Sequence, residues 1–178
     1  TIPPVAPEAP ADITVSCSSQ VPAIPTLTAT DNCSDPISVV GVDEFSVGEC
    51  INSYTIIRRW VFEDACGNTS SINQTIVVND EIAPILPEAP ANITVSCIGE
   101  VPRTFPLTAQ DNCSGEITVT GDDEVIPGDC ENSFIINRTW TFVDACGNTS
   151  SVSQTINVVD DIAPIAPQAP ADVTVACS

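Results

Sequence analysis

Cysteine and carboxylate are the side chains whose numbers and spacing could do chemistry in this sequence. It has 178 residues, no histidine, nine cysteines and 24 Asp or Glu. Thiols can pair, attack, or ligate zinc, and the spacing separates these roles. Cys17, Cys33, Cys50 and Cys66 are followed by Cys97, Cys113, Cys130 and Cys146, with Cys177 last. No CxxC occurs, so a zinc site would need thiolates from distant segments. Disulfides are the expected chemistry, and they imply an oxidising compartment. The carboxylates face only four arginines and no lysine, for a formal net charge of −20. That charge argues against nucleic acid or anionic membrane as a partner. With histidine absent and the thiols consumed, only scattered carboxylates could serve catalysis, so an enzyme is not expected. No apolar run approaches the ~20 residues that span a bilayer.

The cysteine spacing also reveals a repeat. A displacement of 80 positions lays the first four cysteines onto the next four, and Cys177 onto the grid of Cys17 and Cys97. The two copies agree at more than half of the aligned positions. Residues 1–80 and 81–160 therefore read as two modules, and residues 161–178 as the connector and first strand of a truncated third copy. Each module opens on a proline-spaced segment: PPVAPEAP at 3–10, APILPEAP at 83–90 and APIAPQAP at 163–170. Proline fixes φ and removes a donor, so these segments should be extended, stiff connectors.

Beyond each connector the pattern is that of strands. ITVSC recurs at 13–17 and 93–97, with VTVAC at 173–177. Further strands are predicted at 27–30 and 37–41, with acidic turns and shorter strands at 42–49. The longest, at 54–62, is the most informative. Its even positions, Tyr54, Ile56, Arg58, Trp60 and Phe62, match Phe134, Ile136, Arg138, Trp140 and Phe142, whereas its odd positions drift toward polar residues in the second copy. The even face is thus the core face. Arg58 and Arg138 on that face are expected to stack on Trp60 and Trp140, or to pair with a carboxylate at the sheet margin where the charge stays wet. A last strand, 71–78, should follow the DACGN turn, in which Asp and Asn cap amides and Gly takes positive φ. About seven short strands per module without helical periodicity make an all-β protein: tandem immunoglobulin-like antiparallel β-sandwiches joined by proline-rich connectors.

Alternating strand directions bring Cys17 and Cys50 to one pole of a module and Cys33 and Cys66 to the other. The expected disulfides are Cys17–Cys50 and Cys33–Cys66, then Cys97–Cys130 and Cys113–Cys146, leaving Cys177 unpaired. The other pairings within a module stay open, as does a phase that links Cys66 to Cys97. Calcium is the expected metal if one binds, because it takes oxygen ligands from carboxylates and carbonyls. Its candidate ligands are the junctions Asp80-Glu81 and Asp160-Asp161, completed by Asp12 or Asn92 and by Asp64 or Asp144. Asp43-Glu44 and 122–124 read as a separate surface cluster. No cofactor is required.

The series ADITVSC, LTATDNC, Arg-Xaa-Trp, DACGNTSS and QTIVVND resembles the HYR-like modules arrayed in large surface proteins of gliding or adhesive Bacteroidetes-type bacteria. The resemblance covers both copies and the opening of the third. It implies an immunoglobulin-like fold, export to the bacterial cell surface, and a stalk or spacer role in an adhesin that extends adhesive regions from the cell. The alternative is a module that binds glycans or proteins directly through its loops. The expected partners are further copies of the repeat, and surface glycans or proteins, with no membrane insertion. The fragment alone should be monomeric, its modules end to end and in little contact beyond the connector.

Overall fold

The computed structural model describes residues 2–130 and 132–175. The first module contains β1 (Ile13–Val15), β2 (Thr26–Ala29), β3 (Ile37–Val40), β4 (Val42–Val47), β5 (Ser53–Glu63) and β6 (Thr69–Asn79). The second repeats them as β7 (Ile93–Val95), β8 (Pro106–Asp111), β9 (Gly115–Thr120), β10 (Asp122–Cys130), β11 (Ser133–Val143) and β12 (Thr149–Val158). Each module has a four-stranded sheet, ordered β1-β6-β5-β4 or β7-β12-β11-β10, and a two-stranded sheet, β2-β3 or β8-β9. Both modules are immunoglobulin-like β-sandwiches, with six strands apiece among the described residues against the seven or so the sequence suggested.

The long strand is as regular as its alternation requires. Ile56, Arg58, Trp60 and Phe62 are buried, while Arg59 and Val61 on the other face are exposed. Trp60 and Phe62 pack with Ala29, and Leu27, Ile37, Val39 and Ile72 close around them. Trp140, Phe142 and Ala109 make the equivalent cluster in the second module. Burying such side chains stabilises by roughly 1.5–3 kcal/mol each. Gly41 is required by this packing, since a Cβ there would lie 2.8 Å from Trp60 Cε2.

The arginine is buried, not wet. Arg58 is 1 % exposed. It faces Asp43 across the β4–β5 ladder, donating from Nε to Oδ1 at 2.7 Å and from Nη2 to Oδ2 at 3.0 Å. Its Nη1 donates to the Pro22 carbonyl at 3.1 Å, and Trp60 Nε1 donates to the Pro25 carbonyl at 3.0 Å. Arg138 repeats the arrangement with Asp123 and the Pro102 carbonyl, and Trp140 with the Phe105 carbonyl. Asp43 is half-buried and Asp123 exposed, so the carboxylate partner sits at the sheet margin as expected, while the arginine it pairs with is buried. A fixed fork of donors satisfies a carboxylate and a loop carbonyl together, which is why arginine can occupy this interior.

The connectors differ from their expected role. Val5 and Ile85 bridge to Thr30 and Gln110, so each proline segment lies along the strand of the module that follows it. Further on, Gln74 Nε2 donates to the Ala11 carbonyl at 2.7 Å, and Thr75 N donates to Asp12 Oδ1 at 2.6 Å. The connector is wall, not spacer, and the modules abut. The strand expected at 173–177 does not form over 173–175, whereas its counterparts β1 and β7 pair in parallel with β6 and β12. Residues 176–178 lie outside the described residues.

Asp43→Ala would leave the Arg58 charge buried and unpaired. The expected loss is about 3–5 kcal/mol, read from urea denaturation of the oxidised protein. A change below about 1 kcal/mol would show that the pair contributes little to the module.

Candidate functional site

The ladder places the reactive residues at two poles. Tyr54 at the start of β5 and Val15 at the end of β1 both face Val78 near the end of β6. One pole of the first module therefore collects Cys17, Cys50 and Asp80. The opposite kind of pole in the second module carries the turn at 111–114 and the DACGN turn at 144–148, tied together by Ala145 N donating to Ser114 Oγ at 3.1 Å. These turns fold as their sequences require. Asp111 Oδ1 accepts from the Cys113 and Ser114 amides at 3.0 and 2.6 Å. Asp144 Oδ1 accepts from the Cys146 and Asn148 amides, both at 2.8 Å, and Gly147 takes φ +87°.

The two poles are joined covalently, one module to the next. Cys17 is bonded to Cys113 and Cys50 to Cys146, with Cα–Cα distances of 5.2 and 5.1 Å. This corrects the expected pairing. Cys17–Cys50, Cys33–Cys66, Cys97–Cys130 and Cys113–Cys146 do not form, nor does Cys66–Cys97. The assignment of cysteines to poles stands, but because the modules abut, opposite poles of successive modules meet and their thiols bond across the boundary. Cys33, Cys66, Cys97 and Cys130 are free and exposed; Cys177 lies outside the described residues. Polar contacts reinforce the joint. Asn148 Nδ2 donates to the Asp80 carbonyl at 2.9 Å, and Asn112 Nδ2 approaches Cys17 Sγ at 3.0 Å and Asp80 Oδ1 at 3.4 Å.

Three carboxylates converge here. Asp80, Asp111 and Asp144 each place an oxygen within 4.8 Å of the others. They are 4 %, 9 % and 7 % exposed, and the buried Oδ2 atoms of Asp80 and Asp111 have no hydrogen-bond partner. Of the residues expected to ligate a metal, Asp80 and Asp144 come together. Asp12 caps Thr75, Glu81 accepts from Asn79 at 2.7 Å, Asp64 organises its own turn, and Asp160 accepts from the Ile162 amide at 3.3 Å. Asp161 is exposed. Asn92 caps the Thr155 amide at 2.8 Å. Asp111 was read from sequence as a turn residue only. The signal that could have found it is the fixed Asp two positions before a cysteine in both DNC and DACGN.

Burial pushes the Asp144 carboxyl up, but the Asn148 side chain and the amides of Asn148, Cys146 and Gly147 outweigh it and hold the group below its ordinary range. Asp64, in the same turn of the first module, is lowered chiefly by the Asn68 side chain and then by the Asn68 amide.

These features define a class: extracellular-type β-sandwich modules in tandem, four cysteines each, cross-linked from one to the next. The chain belongs to the family described as HYR-like domain with 4 cysteines, which it matches over residues 5–78 and again over 85–158. It is also similar to hyalin of the sea urchin Lytechinus variegatus, 32% identical over 144 residues that make up 75% of this chain and 26% of that protein. A curated relative is thus an animal protein, not one of the bacterial adhesins to which the sequence motifs were likened. No helix among the described residues is long and apolar enough to cross a membrane.

Because the folded Asp64 carboxyl is more acidic than its 3.8 reference, its turn contributes stability that is complete above that value and lost as pH falls through the lower folded value. Asp64→Asn should flatten this acid limb in pH-resolved denaturation. An unchanged acid limb would show that the turn is not the titrating element.

Proposed function

We propose that this chain is a structural repeat, a stalk or spacer, of a large extracellular adhesion protein, extending adhesive regions away from a cell. The observation that carries the reading is the pair of disulfides crossing the module boundary. A binding module held on its own needs internal cross-links, whereas cross-links between modules make an array resist extension as one body. Disulfides also fit an oxidising, extracellular setting. Membership in the HYR-like family and similarity to hyalin support an adhesion-type repeat without catalysis. The bacterial resemblance of the turn and strand motifs supports a bacterial surface and a part in attachment or gliding. Pulled from its ends, the oxidised chain should withhold the 96 residues spanned by Cys17–Cys113. Reduction should release them, roughly 330 Å at about 3.5 Å per residue. Single-molecule extension with and without reductant reads this directly, and equal contour lengths would sink the stalk reading.

The same joint is proposed to hold a divalent cation. Three carboxylates so close together repel, and buried unpaired oxygens are costly. A hard cation that prefers oxygen ligands, as calcium does, would relieve both. Titration calorimetry should show calcium binding, with a melting temperature raised by several degrees over protein in chelator; at a hundredfold excess over Kd the gain is about 2.7 kcal/mol. Asp111→Asn should lose the response while keeping both disulfides. Identical melting with no heat of binding would remove the cation.

A second reading has one observation in its favour. Phe45, Val47 and Ile51 are exposed around a cavity of about 250 Å³, in a segment where the two copies differ. It is the place from which direct glycan or protein binding would be expected.

A further inference from the structure

The occupied joint has two unoccupied halves, one on each outer pole of the chain. Cys97, Cys130 and Asp160 in the second module correspond to Cys17, Cys50 and Asp80 in the first. Cys33, Cys66, Asp31 and Asp64 in the first correspond to Cys113, Cys146, Asp111 and Asp144 in the second. Every pair differs in the same direction. Cys17 is 3 % exposed whereas Cys97 is open to solvent, and Asp80 is buried whereas Asp160 is exposed. Cys50, Cys113 and Cys146 are half-buried in their disulfides, while Cys130, Cys33 and Cys66 are free and exposed. Asp111 and Asp144 are buried and their counterparts only half-buried.

Parts of the filled joint recur at the two free poles. At the outer pole of the second module, Ser96, Cys97, Glu100, Phe134, Asp160 and Ile162 line a cavity of about 300 Å³. The corresponding place in the first module is where Asn112 reaches Cys17 and Asp80, and where Cys113 Sγ lies 3.1 Å from the Ser16 carbonyl. At the outer pole of the first module, the DNC turn is already folded, with Asp31 Oδ2 accepting from the Cys33 and Ser34 amides at 2.9 Å. Its other oxygen, Oδ1, is buried without a partner, like the unpartnered oxygen of Asp111. Each outer pole thus carries two free thiols, beside a cavity at one pole and a folded DNC turn at the other. In the joint seen here, the same positions meet the opposite pole of a second module.

We propose that both outer poles are docking surfaces for a further copy of this module, joined head to tail by two specific disulfides. Cys97 would bond the position of Cys33 in the incoming copy, and Cys130 the position of Cys66. The inference rests on the cross-linked joint above and extends it from one boundary to a rule. The first and third cysteines of a module bond the second and fourth of the module that follows. Each joint converts four thiols into two disulfides and so needs a two-electron oxidant per bond, supplied here as a small-molecule disulfide. Two glutathione disulfides accept the electrons and leave as four glutathione thiols. Asp160 would meet Asp31 and Asp64 in the new joint, as Asp80 meets Asp111 and Asp144.

The test uses this chain with Cys177→Ser, which removes a thiol of the same rank as Cys97. Concentrated protein is incubated in a glutathione redox buffer at high salt, so that the −20 charge of each copy is screened. The expected products are concatemers rising in steps of one chain, with peptide mapping that recovers Cys97–Cys33 and Cys130–Cys66. Cys97→Ser/Cys130→Ser should stay monomeric, yet melt as the parent does, because both side chains are exposed. Like-with-like links such as Cys97–Cys97, random pairing, or monomers carrying only glutathione would overturn the proposal. Failure of the proposed stalk reading is separable, because that reading requires Cys17–Cys113 and Cys50–Cys146, mapped in the same digest.

Discussion

A thin core is the constraint on which the rest of this structure depends. Each module has about 80 residues and one tryptophan, and a domain of that size buries a modest share of its surface on folding. Its centre is a Trp–Phe–Ala cluster with a buried arginine alongside. The arginine adds little apolar burial, and its ion pair is weak evidence of stability in itself. What it does is fix geometry. Arg58 ties β4 to β5 through Asp43, and with Trp60 it holds the loop carbonyls at 22 and 25. The segment between β1 and β2, which turns once as a 3-10 helix at Ser18–Gln20, is thereby held against the sandwich without more hydrophobic side chains.

Stability that the interior does not supply is drawn from the boundary. In the chain-entropy account, a cross-link closing about 100 residues stabilises by ~4.7 kcal/mol, more than one confined to a single module. The two links here each span 96 residues. They also couple the modules, since a sandwich that opens stays tethered to its neighbour and gains less chain entropy. The proline segment serves the same end. Laid against the next module through Ile85 and Gln110, it takes up the length that would otherwise act as a hinge.

Much of this was legible in the sequence, and the parts that were not share a cause. The alternation from Tyr54 to Phe62 identified the core face, and the DACGN turn behaved as its residue types require. Even the sorting of cysteines between poles was correct. The pairing was not, because Cys33 and Cys113 carry the same local sequence, DNC, so a partner within the module and one in the next look alike in a repeat. Choosing between them needs the distance between modules, which depends on where the connector lies. Proline content says that a segment is stiff, not whether it separates modules or packs on one. The acidic cluster at Asp43-Glu44 and 122–124 is at the surface, with Asp123 exposed and Asp43 half-buried. Its pairing with arginine went unread, although the separation of Asp43 from Arg58 recurs between Asp123 and Arg138.

The same joint explains why acid is tolerated where it should be costly. A chain with 24 carboxylates and four arginines repels itself, and three of those carboxylates gather between the poles. In separate modules, that repulsion would oppose docking. Covalent closure removes the choice, since the poles cannot part once both disulfides are made, and the repulsion then acts on a fixed geometry. A cation bound there would reverse its sign and stiffen the joint. The disulfides therefore fix the two poles together, and a cation bound at the carboxylates would add to that closure. That order follows from the chemistry: the covalent links survive changes in ion concentration, whereas an electrostatic site responds to them.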